Sequence, residues 1–244
     1  MALDHLEELD RVTTAMAATL AEASGREPVA TCPGWTVDDL ADHLGRIHRW
    51  AASIVLSGVG QAIPEPKRSG PVAAWYAGTA EAVRAAVRAV DPEEPCSNFS
   101  GRQQHAGFWR RRQVHETQVH LVDVGLALGR AIPIEPELAA DGVDEVFTIF
   151  LHRLARRGRQ PDVTGPIVVR CTDVDRQWML EPAPEVGVGP RVSRPAPADE
   201  ATAEATVRGS AVDLYLGLWR RRSHSVLDVR GAAAERFLAG PLTP

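Results

Sequence analysis

Residues 114–123 read VHETQVHLVD, which puts two histidines, a glutamate and an aspartate into ten positions. Imidazole nitrogens and carboxylate oxygens are ligands for divalent ions such as Zn²⁺, so the stretch raises the question of metal chemistry. On a helix, at about 100° per residue, Glu116 and His120 share one face and Asp123 lies one turn further along it. His115 projects roughly a quarter turn away, with Val119, Val122 and Leu126, on the stripe expected to pack in the core. The two histidines are five apart, about 140° around the helix, so the zincin HExxH arrangement is absent. A glutamate and a histidine at this spacing, taken alone, are more often a surface hydrogen bond than a ligand pair.

A third ligand is offered by an earlier helix. In WTVDDLADHLGRIHRW, His43 lies in the middle of an apolar face made by Leu40, Ile47, Trp50 and Ile54, whereas His48 points to the opposite, wetter side. A histidine on the inner face of a bundle needs a polar partner or a metal. For His43 alone, a satisfied core histidine is the commoner case. Joined with Glu116 and His120, it completes a set of two histidines and one carboxylate, which binds Zn²⁺ or a similar ion and leaves a position open for water or substrate. Cys32 has no neighbouring His or Lys in sequence to lower its pKa, and it reads as a small packing residue in the Cys32-Pro33-Gly34 turn. His5, His105, His152 and His224 have no partner at ligand spacing.

Long helices must position these groups. Leu6, Leu9, Val12, Met16 and Leu20 predict a first helix ending near Gly25, and Thr36 with Asp39 three residues on predicts the capped start of a second, running to about Gly58. After a loop marked by Pro64 and Pro66, a third is expected over Val72–Val90, and a fourth from about Phe108 to Leu128. Four helices of about 20 residues predict a four-helix bundle, with a fifth helix, Glu137 to about Arg156, leading out of it. Beyond Gly158 the pattern changes to short β-rich runs at 166–171, 177–180 and 226–229, with helices expected at 211–221 and 232–238. PRVSRPAPADE reads as a proline-rich loop between strands. The expected organisation is therefore a metal-binding helical bundle over residues 1–158 and a small α+β domain over 159–244, divided in the polar, breaker-rich RGRQPDVTG.

At 244 residues with 44% hydrophobic content, the chain can bury a sizeable core. The net charge of -5 argues against a nucleic-acid partner and favours small molecules. No apolar run approaches the roughly 20 residues of a membrane span, and the acidic N-terminus does not read as a signal peptide, so the expected compartment is the cytoplasm. Three widely spaced cysteines, odd in number, argue against a disulfide framework or a CxxC metal knuckle.

In combination, CPGWTVDDLADHLGRIHRW, RQVHETQVHLVDVGLALG and DLYLGLWRRR resemble the mycothiol-dependent maleylpyruvate isomerase family of actinobacteria. The resemblance covers nearly the whole chain and implies a DinB-like N-terminal four-helix bundle followed by a small α/β module. The family's metal triad is a histidine after the GWT turn and a Glu and a His four apart in the fourth helix, matching His43, Glu116 and His120. Many DinB-like thiol transferases carry a third histidine instead, so the glutamate places this chain nearer the isomerases. The resemblance implies mycothiol as a cofactor, with its thiolate added to an electrophilic small molecule in cis-trans isomerisation or S-transfer. It also implies an arginine after the LW pair that meets the substrate, for which Arg221 is favoured over its neighbours Arg220 and Arg222. The family usually has glycine where Arg220 stands, and an ordinary basic helix end is the competing reading. Arg112 could orient Glu116 or meet substrate, but within Arg110-Arg111-Arg112 it is expected to be solvated. Asp123 is either an acceptor for His120 or a helix-surface residue. A monomer or weak homo-oligomer is expected, and the alternative class is a non-catalytic metal-binding or regulatory module.

Overall fold

A computed structural model describes residues 3–60, 68, 70–101, 104–196 and 203–244. The loop expected around Pro64 and Pro66, and the Pro197–Glu200 end of the proline-rich stretch, lie outside the described residues. Cα packing divides the chain into two compact units, residues 1–133 and 134–244. The division falls ahead of the expected boundary near residue 158. RGRQPDVTG is a loop inside the second unit, and the fifth helix belongs to the unit that follows it, for reasons of packing given below.

The first unit is built from α1 (His5–Glu22), α2 (Val37–Ser57), α3 (Val72–Ala89) and α4 (Gly107–Ala127). Asp4 caps α1 by accepting from the Leu6 and Glu7 amides. Thr36 and Asp39 form a reciprocal capping box at the start of α2, which ends on Gly58 in the left-handed region, with φ 74°. α1 and α2 each pack on both α3 and α4. Met16, Leu20, Leu40, Leu44, Tyr76, Leu121 and Val124 form one continuous core. Gly45 lets α3 approach α2 closely, because a Cβ there would stand 2.2 Å from the Trp75 ring. α4 buries residues around most of its circumference, including Trp109, Arg112, Gln113, His115, Gln118 and Asp123, so it has little wet face of its own.

In the second unit, α5 (Pro136–Glu145) continues through a π-helical turn at Val146–Phe150 into α6 (Leu151–Arg156). Leu138, Ala139 and Val143 of α5 are buried, and Gly142 accommodates the buried Tyr215 ring of α7 (Ala211–Leu218). Trp178 Nε1 also donates to Asp144 at 3.0 Å. These contacts hold α5 against the sheet unit. The sheet comprises β1 (Ile167–Cys171), β2 (Gln177–Glu181), β3 (Arg191–Ser193), β4 (Thr206–Gly209) and β5 (Asp228–Arg230), in the order β3-β2-β1-β4-β5. β1 and β4 run parallel, and the other neighbours are antiparallel. β3 takes the first residues of the stretch expected to be a loop, and β4 had no sequence signal. A final helix, α8 (Ala232–Ala239), follows β5. No helix among the described residues is long and apolar enough to cross a membrane.

Candidate metal centre

α2 and α4 bring His43, Glu116 and His120 together at the edge of the bundle core. Glu116 Oε1 stands 3.5 Å from His43 Nε2 and 3.6 Å from His120 Nε2, and ligand atoms of the three residues all lie within 4.8 Å of one another. Their side chains are 28%, 20% and 12% exposed in sequence order, so small solutes can reach the cluster. Around a tetrahedral ion with ligand distances of about 2.0–2.1 Å, neighbouring nitrogen and oxygen atoms stand about 3.3 Å apart. Both separations to Glu116 come close to that value and are too long for good hydrogen bonds. The donor set thus fits a divalent ion in both chemistry and spacing.

Glu116 and His120 are each held from behind. Arg112, only 2% exposed, donates to Glu116 Oε2 at 3.0 Å. It is buried rather than solvated, because the carboxylate one turn along α4 supplies its partner. Burial opposes ionisation of Glu116, but contacts from His120 and His43 and the charge of Arg112 outweigh it and hold the carboxyl well below its usual range. Asp123 is fully buried and accepts from His120 Nδ1 at 2.8 Å and from the Thr31 hydroxyl at 2.6 Å. Burial also opposes a charge on His120, yet Asp123 and Glu116 on either side of the ring lift its pKa to about 9. With Nδ1 bonded to Asp123, Nε2 is the nitrogen turned toward Glu116.

The turn between α1 and α2 reaches both α2 and α4 beside these residues. The Trp35 ring lies 5.0 Å from that of His43, and the Cys32 thiol is 3.9 Å from Asp123 Oδ2. Sequence reading found neither the Thr31 contact nor the Trp35 contact. The GWT turn marks the place, but nothing in its composition says that it faces α4.

His115 is fully buried, as expected of the core stripe. His48 is fully buried too, against expectation, because α3 and α4 cover the side of α2 that phase alone marks as wet. Its Nδ1 pairs with Gln113 at 2.8 Å, and its Nε2 meets Tyr76 and Thr117 at 3.3 and 3.4 Å. Burial lowers its pKa to about 4 and pushes that of the Tyr76 phenol upward. Cys96 and Cys171 are buried, which raises both thiols, Cys171 to about 12.

In the second unit, Arg220 has φ 58° and donates to the Leu238, Ala239 and Gly240 carbonyls, while Arg222 pairs with Asp213. Arg221 donates to the Trp219 carbonyl at 2.8 Å and lies 6.0 Å over the Trp219 ring. Two of the three arginines are therefore engaged with distant groups of the unit.

The model of the mycothiol maleylpyruvate isomerase N-terminal domain matches residues 6–125, and that of the family's C-terminal domain matches residues 137–236. The chain belongs to the mycothiol-dependent maleylpyruvate isomerase family. Members of this isomerase family are enzymes. The fold is shared with the crystal structure of a mycothiol-dependent maleylpyruvate isomerase, at 13% identity and TM-score 0.61, over 98% of this chain and 95% of that one. A histidine-to-alanine mutant of a mycothiol-dependent maleylpyruvate isomerase aligns at 14% identity and TM-score 0.62 over the same shares. No curated protein matches in sequence. The gap between the two family matches, residues 126–136, contains the division between the compact units.

Proposed function

We propose that this chain is a metal- and mycothiol-dependent enzyme that promotes thiol addition to an electrophilic small molecule, as a cis-trans isomerase or an S-transferase. The observation that carries this reading is the spacing of His43, Glu116 and His120, which suits one divalent ion, Zn²⁺ foremost, in a chain of this family. When bound, such an ion favours the deprotonated form of a coordinated thiol, and the thiolate supplies reversible addition to an alkene conjugated with carbonyls, which frees the former double bond to rotate before elimination.

The chain's own groups prepare for this. His120 gives up, on binding a divalent ion, the proton that Asp123 and Glu116 favour on it, so that two neutral nitrogens and the one negative charge of Glu116 would hold the ion with one net positive charge left for a thiolate to balance. Arg112 fixes the far oxygen of Glu116 and leaves Oε1 turned toward both histidines. Asp123 holds the Nδ1 side of His120, which selects the tautomer with a lone pair on Nε2. We assign Arg221 to a substrate carboxylate because a planar guanidinium matches that group with two parallel hydrogen bonds.

The test is a mass-spectrometric product assay with mycothiol and a panel of electrophiles that includes maleylpyruvate, run beside metal analysis of the purified protein. One equivalent of divalent ion, lost in His43→Ala and Glu116→Gln, is expected. An unchanged substrate mass with a shifted spectrum identifies isomerisation, and a stable adduct identifies transfer. Absence of stoichiometric metal, or metal-loaded protein that binds no mycothiol by calorimetry, would refute the reading.

A further inference from the structure

His120 presents its two ring nitrogens to two different ligand sets. Nε2 faces Glu116 and His43. Nδ1 faces Asp123, beyond which lies the Cys32 thiol. Ligand atoms of Cys32, His120 and Asp123 also lie within 4.8 Å of one another. We propose that Cys32 Sγ, Asp123 Oδ2 and His120 Nδ1 form a second metal site, selective for thiophilic divalent ions and filled when these exceed what the first site holds.

The spacing requires little movement. Around a tetrahedral ion with a sulfur ligand at about 2.3 Å and oxygen or nitrogen at about 2.0–2.1 Å, edges are about 3.6 Å from sulfur and about 3.3 Å between the other two. Here Sγ–Oδ2 is 3.9 Å and Oδ2–Nδ1 is 2.8 Å, so these two edges change by half an ångström or less, while the third, from Cys32 to the His120 ring, lies within 4.8 Å and closes as the partly exposed Cys32 side chain turns inward. Thr31 donates to the other oxygen, Oδ1, so Asp123 keeps a hydrogen bond while Oδ2 turns to the ion. Asp123 is fully buried and held in place, whereas Cys32 is partly exposed and gives the ion an approach.

The donor chemistry separates the two sets. Two imidazoles and a carboxylate suit a borderline ion, and a thiolate in the second set shifts preference toward softer ones. On binding, the thiol proton and the proton between Nδ1 and Asp123 pass to water; the thiolate and carboxylate together balance the second ion's charge, and His120, left as an imidazolate, would carry one further negative charge shared between the two ions. His120 then bridges the two sites. Its hydrogen bond to Asp123 is lost, so an excess of a soft ion disturbs the group that orients the first site.

Cd²⁺ is the probe, titrated into reduced, chelator-treated full-length protein while the ultraviolet thiolate-to-cadmium charge-transfer band is followed and bound ions are counted. Two ions per chain are expected, one of them accompanied by the band. Cys32→Ser and Cys32→Ala should each bind one ion without the band, and His43→Ala should keep it. Absence of the band after several equivalents, or its persistence in both Cys32 variants, would overturn the second site. One band-free ion, lost in His43→Ala, leaves the proposed function standing and removes this inference. One ion with a band that depends on Cys32 and not on His43 does the reverse.

Discussion

Replacing His48 by glutamine isolates the consequence of burying an imidazole between helices. His48 has no solvent exposure and a pKa of about 4, with burial the largest cause, against 6.5 for the free side chain. The unfolded chain therefore binds this proton at a higher pH than the folded one does. The contribution of His48 is fully present above about pH 6.5 and is lost as pH falls toward 4. At 1.36 kcal/mol per pH unit, the loss is about 1.4 kcal/mol at pH 5.5 and about 2.5 kcal/mol at pH 4.5. Glutamine does not titrate, and at pH 8 it should cost about 1 kcal/mol through poorer bonds to Gln113, Tyr76 and Thr117. Urea unfolding of both proteins with chelator present, from pH 8 to 4.5, gives the difference directly. Groups that do not act on His48 cancel in that difference, and Glu116 and His120, whose charges reach its ring with opposite effect, cancel in large part. Glu116, held low, contributes stability that is lost as pH falls below its free value, and His120, raised to about 9, contributes stability that is lost as pH rises toward 9. The wild type should start ahead and fall behind as the solution becomes acidic. Two stability curves that stay parallel within about 0.5 kcal/mol across this range would refute the reasoning.

Asp123→Asn keeps the shape beside His120 but removes the charge that selects its tautomer, so Zn²⁺ affinity measured by competition with a chromophoric chelator should fall about 10- to 100-fold. Gly45→Ala places a methyl group 2.2 Å from the Trp75 ring, and thermal unfolding should show a loss of about 1–3 kcal/mol as α2 and α3 are forced apart.

Part of the His43, Glu116 and His120 cluster was legible because helical phase depends only on sequence separation. Glu116 and His120 at four residues share a face in any helix, whereas His43, expected in the middle of the apolar face, is 28% exposed beside the half-buried Ile47 and Trp50, because the buried face of α2 runs through Leu44 and His48. What phase does not give is the number of neighbours around a helix. His48 and Arg112 were both assigned to water for that reason. α2 is covered by α3 as well as α4, and α4 is covered nearly all round, so a basic residue in a run of arginines can be buried once Glu116 lies one turn away. The four long helices could be read from apolar repeats and from the Thr36 cap. β3 and β4, at three and four residues, are too short for a period of two to register, and tertiary pairing with β2 and β1 makes them strands. A breaker-rich loop resembles a linker, so RGRQPDVTG read as the division, whereas the contact of Gly142 with Tyr215, which joins α5 to the second compact unit, is invisible without the fold.

The π-helical turn at Val146–Phe150 bears on how this chain can change in length. A regular α-helix from Pro136 to Arg156 would turn the apolar residues of its second half, Leu151 and Leu154, roughly 100° away from those of its first, Leu138 and Val143. The wider turn absorbs about one residue's worth of rotation and returns both halves to one side. Removing Thr148, the one residue of 146–150 that is not buried, would convert the segment to plain α-helix with Leu151 and Leu154 still inside. The same deletion placed one turn earlier, among Leu138–Val143, would instead rotate part of the buried face of α5 away from Tyr215. One stretch of this long helix is thus open to a one-residue change in length, and its flanks are not.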